Sequence, residues 1–213
     1  VNDPLVPNRG NGAVYVYQKS EDGNTQTIVG QTALKDKKVQ SFAVSHVIHA
    51  PADKVWAIVG EDYGAIAKSH PEIIKSEYLN GSLKGGEGAE RICYFNDKGS
   101  KFVKEKQINF DPENYTFKNT IYQTGKFPLD PAYRFALYTV EVIDAETSRF
   151  TFKMQYCTKP SMMGSMAKGK FQKLISNYAI AIEHHVVTGE DVNKENFKAI
   201  KKEHSKDDAL ASK

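Results

Sequence analysis

Phe150-Thr151-Phe152-Lys153-Met154-Gln155-Tyr156 is followed, after Cys157-Thr158-Lys159-Pro160, by the proline-free run Ser161 to Gly189. The first stretch alternates without error. Phe150, Phe152, Met154 and Tyr156 share one face and Thr151, Lys153 and Gln155 the other, which predicts a strand with one buried and one wet side. The second carries Met163, Ala167, Phe171, Leu174, Tyr178 and Ile182 at steps of three and four and stops at Thr188-Gly189. That spacing predicts one amphipathic helix about 43 Å long at 1.5 Å per residue. A one-sided strand beside a one-sided helix buries both stripes most simply when the helix lies on the apolar face of the sheet.

Working upstream, Phe42, Val44, His46 and Ile48 alternate with Ala43, Ser45, Val47 and His49 in a first strand that ends at Ala50-Pro51. Pro51 suits the opening turn of a helix, and Val55, Trp56, Ile58 and Val59 supply its apolar face before Gly60 and Gly64 break it. A second short helix over about 64–70 closes at His70-Pro71. Stretches of strand-type alternation then follow between turns at Asn80-Gly81, Gly85-Gly86, Asp97-Lys98-Gly99, Asp111 to Asn114, Pro128 to Pro131 and Asp144 to Thr147, an antiparallel meander. The expected class is α+β: a curved antiparallel sheet of about seven strands wrapped around a long C-terminal helix, with two short helices after the first strand. Residues 39–190 form this domain. Residues 1–38 are a polar extension with room for one weak hairpin, from the Val14-Tyr15-Val16-Tyr17 alternation and the Glu21-Asp22-Gly23-Asn24 turn signal. Residues 191–213 read as a charged tail, a solvated or frayed helix whose deletion leaves stability nearly unchanged.

Of 213 residues, 29 Lys+Arg oppose 26 Asp+Glu, a net charge of +3. With both signs interspersed and no basic face, nucleic acid is set aside as a partner. No apolar run approaches the length of a membrane-spanning helix, and the expectation is a soluble domain that buries roughly 70% of its extended surface. Cys93 and Cys157 are too few for a disulfide framework and lack zinc-ligand spacing. No phosphate-binding glycine motif occurs, so no cofactor is expected. His184 and His185 point to different helix faces, and His70 has no nucleophile at triad spacing, so neither metal binding nor a triad is expected. Val1 in place of an initiator Met reads as processing or trimming, which leaves both a cytoplasmic location and export after removal of a signal peptide open.

The opening Ala50-Pro51-Ala52-Asp53-Lys54-Val55-Trp56, Gly85 to Arg91, Asp111-Pro112-Glu113-Asn114 and Phe171-Gln172-Lys173-Leu174 together resemble the START-like helix-grip superfamily. That superfamily includes lipid-transfer START domains, birch-pollen-type allergens, polyketide cyclases and plant abscisic-acid receptors. The likeness covers about residues 39–189, and the subfamily look is the polyketide cyclase or dehydrase type. It implies a cavity for a hydrophobic small molecule between the inner sheet face and the last helix. Ile74-Lys75-Ser76 is similar to a receptor stretch whose lysine enters the cavity, and Glu105-Lys106 to one whose glutamate does. The receptors' gate is replaced by Phe95 to Gly99 and their latch by Gly125 to Pro128, so the resemblance does not carry a hormone-receptor role or a phosphatase partner.

Strand parity tests these residues independently of any family. If Lys104 and Lys106 are wet, then Val103, Glu105, Gln107 and Asn109 face inward, and a buried Glu105 needs Lys75, Arg91 or Lys170 as its cation. Parity also turns Arg91 inward with Ala89, Cys93 and Phe95, as an anion clamp or as half of a rim salt bridge. For Lys75 the alternation opposes the resemblance: it buries Ile74 and Tyr78 and exposes Lys75 with Glu77. Lys170, beside Phe171, is either near the cavity mouth or an ordinary solvated lysine. Phe117, Tyr133, Phe135, Met154, Tyr156, Met162 and Met166 are the expected apolar lining, against ordinary core packing. The leading functional expectation is binding or carriage of a hydrophobic small molecule with a polar or anionic group. A polyketide cyclase/aromatase-like enzyme and a protein-interaction module using the basic tail are the alternatives, with any protein partner left open.

Overall fold

The computed structural model describes residues 13–19, 26–33, 39–79, 81, 84–130 and 134–211. The chain divides into two units, Val1–Lys38 and Val39–Lys213. In the first, β1 (Ala13–Lys19) pairs antiparallel with β2 (Gln26–Ala33), with an irregularity between Val16 and Tyr17. The turn expected at Glu21 to Asn24 lies outside the described residues.

The second unit opens with β3 (Gln40–Ile48) and α1 (Ala52–Trp56), which widens into a π-type segment, Ala57–Glu61, and then a 3-10 segment, Tyr63–Lys68. Strands β4 (Lys75–Tyr78), β5 (Glu90–Tyr94), β6 (Phe102–Asp111), β7 (Thr116–Thr124), β8 (Phe135–Val142) and β9 (Ser148–Tyr156) follow. The long helix α2 (Met163–Thr188) and a terminal helix α3 (Phe197–Ala211) complete it. The seven strands form one antiparallel sheet in the order β3-β9-β8-β7-β6-β5-β4, the helix-grip arrangement expected from the sequence.

The sheet's two faces follow the alternation. Phe150, Phe152, Met154 and Tyr156 of β9 are all buried, and so are Phe42 and Ile48 of the neighbouring β3. Helix α2 packs against β3 and β9 and brings Ile175, Tyr178, Ala179 and Ile182 into the same core. Tyr178 meets Phe150 edge-on, with centroids 5.9 Å apart. The helix stops at Gly189, whose left-handed φ of 75° lets its N–H return to the His185 carbonyl at 2.9 Å. From the other side Trp56 closes the core, stacked on Phe110 at 5.3 Å and tilted against Phe117 at 5.9 Å.

Two interruptions of the β6–β7 register bend the sheet. Lys104 pairs with Gln123 and Glu105 with Ile121, which leaves Tyr122 as an extra residue; a second shift falls between Ile108 and Asp111. There Asn109 adopts φ 51°. Parity therefore holds through Val103, Glu105 and Gln107, all buried, and fails at Asn109, which is exposed instead of inward. The bulge then turns Phe110 onto Trp56.

Gln107 is fully buried and works as a substitute peptide group. Its Nε2 donates to the Gly60 carbonyl at 3.0 Å and its Oε1 accepts from the Gly86 N–H at 2.8 Å. This clasp draws the loop before β5 onto the segment after α1 so tightly that a Cβ on Gly85 would lie 2.4 Å from the carbonyl oxygens of Gly60 and Glu61.

The C-terminal segment departs from the expected solvated tail. Val192, Phe197 and Ile200 are buried and cluster with Ala181 of α2, the Val192 N–H donates to the Lys68 carbonyl at 2.7 Å, and Lys201 Nζ donates to Asn177 Oδ1 at 2.7 Å. Two apolar residues in the first turn of α3, Phe197 and Ile200, with Val192 just before the helix, suffice to dock this charged stretch. Phe197→Ala is therefore expected to cost about 3 kcal/mol in urea unfolding. A loss under about 0.5 kcal/mol, the range of surface substitutions, would show that α3 is not docked.

Candidate ligand-binding cavity

Between the inner sheet face and α2 lies a cavity with about 720 Å³ of unfilled space, its open mouth included. Phe152, Met154, Val103, Ile121 and Ala136 line it from the sheet, and Phe171, Leu174, Ile175 and Tyr178 from α2. The polar groups are few: Arg91, Glu105, Asn119, Arg134 and His70, with the hydroxyls of Tyr138 and Tyr178.

Arg91 and Glu105 face each other across β5 and β6. Arg91 Nε and Nη2 both reach Glu105 Oε2 at 2.7 Å, while Nη1 donates to the Tyr63 carbonyl at 2.7 Å. The guanidinium also lies over the Tyr63 ring, 3.8 Å from its centroid. With Arg91 2% and Glu105 7% exposed, the pair is a buried one. Cys93 stands next to it, and burial pushes its thiol up to about 12, which keeps it protonated and unreactive at neutral pH.

Arg134 differs. Its Nε donates to the Asp130 carbonyl at 3.2 Å, but Nη1 and Nη2 are buried and have no hydrogen-bond partner among the described residues. Burial lowers its pKa to about 10, with Glu105 and Asp130 opposing the shift, so the side chain stays cationic at neutral pH. A buried donor without an acceptor costs about 1–3 kcal/mol, and more when charged, so these two nitrogens favour any acceptor placed in the cavity.

His70 is equally buried and is held by the backbone. Its Nδ1 accepts the N–H groups of Glu72 at 3.1 Å and Ile73 at 3.2 Å, which puts the ring proton on Nε2. Burial, aided by the nearby Arg91, lowers its pKa to about 3. At neutral pH it is a fixed neutral donor rather than a base. Burial likewise raises Tyr138 to about 12. Thus Arg134, His70 and Tyr138 offer donors, and the cavity's one carboxylate among the described residues is committed to Arg91.

Of the residues expected at the site, Arg91, Glu105, Phe135 and Met154 line this cavity. Phe117 and Tyr156 are buried beside it: Phe117 stacks on Tyr138 at 4.5 Å, and the Tyr156 hydroxyl donates to the Gly164 carbonyl at 2.7 Å. Lys75 lies outside, exposed and paired with Glu77 at 2.8 Å, while Ile74 and Tyr78, expected to be buried, are 45% and 37% exposed. Met162 and Met166 are 76% and 80% exposed, and Lys170 is exposed too, while Gly164 of the same turns is buried against Tyr156. Tyr133 lies outside the described residues. Sequence reading missed Arg134, Asn119 and Tyr138, and it gave His70 no place at the site. The alternation Arg134, Ala136, Tyr138, Val140, all buried, carries the signal that the aromatic residues Tyr133 and Phe135 obscured.

Two outcomes follow from this geometry. Glu105→Gln strands a buried cation and is expected to cost about 3 to 5 kcal/mol, whereas the double variant Arg91→Met/Glu105→Leu costs less than either single change. Additive losses in denaturant unfolding would contradict the pairing. For His70, the unfolded side chain takes up its proton near pH 6.5 and the folded one only near 3. Its stabilising contribution is therefore complete above about pH 6.5 and falls by about 1.4 kcal/mol per unit as pH drops toward 3. His70→Asn retains an acceptor for the two N–H groups and is expected to flatten that dependence; identical slopes for both proteins between pH 7 and 5 would show that His70 is not the source.

The architecture is shared with solved structures of low identity. Norcoclaurine synthase from Thalictrum flavum superimposes with TM-score 0.55 at 18% identity, covering 71% of this chain and 96% of that one. For Ara h 8.0201 the values are 0.56, 20%, 71% and 99%. The Zhui aromatase/cyclase from Streptomyces gives 0.53, 14%, 70% and 92%. In comparison by sequence alone, no curated protein matches. Residues 39–183 match the family described as polyketide cyclase/dehydrase and lipid transport, and the chain belongs to that family.

Proposed function

We propose that this protein binds a hydrophobic small molecule with an anionic or strongly accepting group, held in the cavity beneath α2. The observation that supports this reading is the pair of buried guanidinium nitrogens of Arg134, without a hydrogen-bond partner among the described residues, in a mostly apolar cavity. Aromatic and aliphatic walls take the body of the ligand. Arg134 accepts its head through two parallel N–H donors, and the Nε2–H of His70 supplies a further donor.

A polyketide cyclase-like activity is the second reading, favoured by the family and by the same donors. An arginine and a neutral histidine can stabilise negative charge on a carbonyl or enolate oxygen of a folded chain. Within this reading the protein positions the chain and its oxygens and leaves proton removal to water or to the substrate, because Glu105 is bound to Arg91 and the buried tyrosines stay protonated.

Calorimetric titration of 2-naphthylacetic acid and of its neutral amide into the wild type and Arg134→Met separates the polar contribution from the apolar one. The acid is expected to bind the wild type at least about tenfold more tightly than the amide, the scale of one charge-assisted hydrogen bond, and Arg134→Met to abolish that difference. Equal affinities in all four combinations would remove Arg134 from the site, and no binding of either compound would count against an aromatic ligand class.

A further inference from the structure

Away from the cavity, three histidines converge on one buried carboxylate. Glu183, on α2, is 8% exposed although it is an acidic residue. Its Oε2 lies 2.7 Å from His46 Nε2 of β3 and 2.8 Å from His204 Nε2 of α3. Its Oε1 is held separately, by His49 Nδ1 at 2.7 Å and the His49 N–H at 3.2 Å. The two outer rings lie side by side with centroids 5.2 Å apart. One ligand atom from each of His46, Glu183 and His204 can be chosen so that the three lie within 4.8 Å of one another.

We infer that His46, Glu183 and His204 form a binding site for a divalent transition-metal ion of the zinc class. Two imidazole nitrogens and one carboxylate oxygen are the donor set that such ions prefer, whereas calcium and magnesium favour all-oxygen shells. The division of labour on Glu183 supports the assignment. His49 and its backbone N–H anchor Oε1 and so orient Oε2, the way an outer partner fixes a metal-ligating carboxylate. An ion at about 2.0–2.1 Å from each donor sets donor separations of about 3.3 Å, so each ring nitrogen withdraws from Oε2 by about half an ångström while the two imidazole nitrogens, within 4.8 Å of each other, adjust toward that same separation. Protons balance simply: a neutral imidazole moves its proton from Nε2 to Nδ1 as the metal takes the Nε2 lone pair, and an imidazolium releases one proton to solvent.

Because the ligands come from the edge strand β3, the long helix and the terminal helix, the ion joins three elements that are far apart in sequence. Its effect is to fix α3 onto the domain, beside the apolar contacts of Phe197 and Ile200.

The test uses the full chain, stripped with chelator and titrated with zinc chloride, with cobalt(II) as spectroscopic reporter. Expected are one equivalent bound, cobalt d–d bands of nitrogen and oxygen coordination, and a rise in melting temperature with zinc. His204→Gln, on a terminal helix, and His46→Gln should each weaken binding at least tenfold and abolish the zinc-dependent rise, while His49→Gln weakens it less. The double variant His184→Gln/His185→Gln reports on adventitious surface binding and should leave the affinity unchanged. Absence of one-equivalent binding, retention of full affinity by His204→Gln, or loss of binding in the His184/His185 double variant would each overturn the assignment. Should Glu183→Gln prove unstable, the His204→Gln and His46→Gln titrations decide the matter alone.

Discussion

The buried pairing of Arg91 with Glu105 is the constraint around which the rest of the site is organised. A guanidinium and a carboxylate removed from water persist only when each finds the other and the leftover donors find acceptors. Here Arg91 achieves this by reaching the Tyr63 carbonyl and lying over the Tyr63 ring, which ties β5 and β6 to the short helical segments that follow β3. The same interaction neutralises the carboxylate nearest the cavity. The pair is thus a structural wall of the cavity, and recognition of a ligand's polar group falls to Arg134 and His70.

This division shapes the chemistry available. Desolvation favours the neutral forms of His70, Cys93 and Tyr138, and it leaves Arg134 charged only because guanidinium starts so high. A chamber of fixed donors and apolar walls suits holding an oxygen-bearing hydrophobic molecule, and it suits a reaction in which charge develops on oxygen.

What was legible in the sequence was whatever repeats with a period. The two-residue alternation of Phe150 to Tyr156 and the three-and-four spacing of Phe171 to Ile182 encode which faces are buried, so the sheet, the long helix and the inward turn of Arg91 and Glu105 could be read directly. Parity fails where the period slips. At Asn109 a bulge with positive φ reverses the facing, and before β4 the inward position belongs to Ile73 instead of Ile74. Arg134 sits just after a proline-bounded segment read as a turn, where no alternation precedes it to set its phase. His46, Glu183 and His204 come together only through the tertiary fold, and no local spacing relates them. The tail was misjudged because three apolar side chains among many charges lower a composition average very little, yet suffice to dock a helix.

The clasp made by Gln107 has a consequence for how this chain can vary. Gly60, Gly85 and Gln107 form a single steric and hydrogen-bonding unit, in which one side-chain amide spans two backbone strands brought too close for a Cβ. A side chain at 85 pushes the strands apart and breaks the span, and a shorter or charged side chain at 107 leaves a carbonyl or an N–H unmatched. The three positions therefore admit change only together, so among related chains covariation rather than simple identity is the mark this contact leaves.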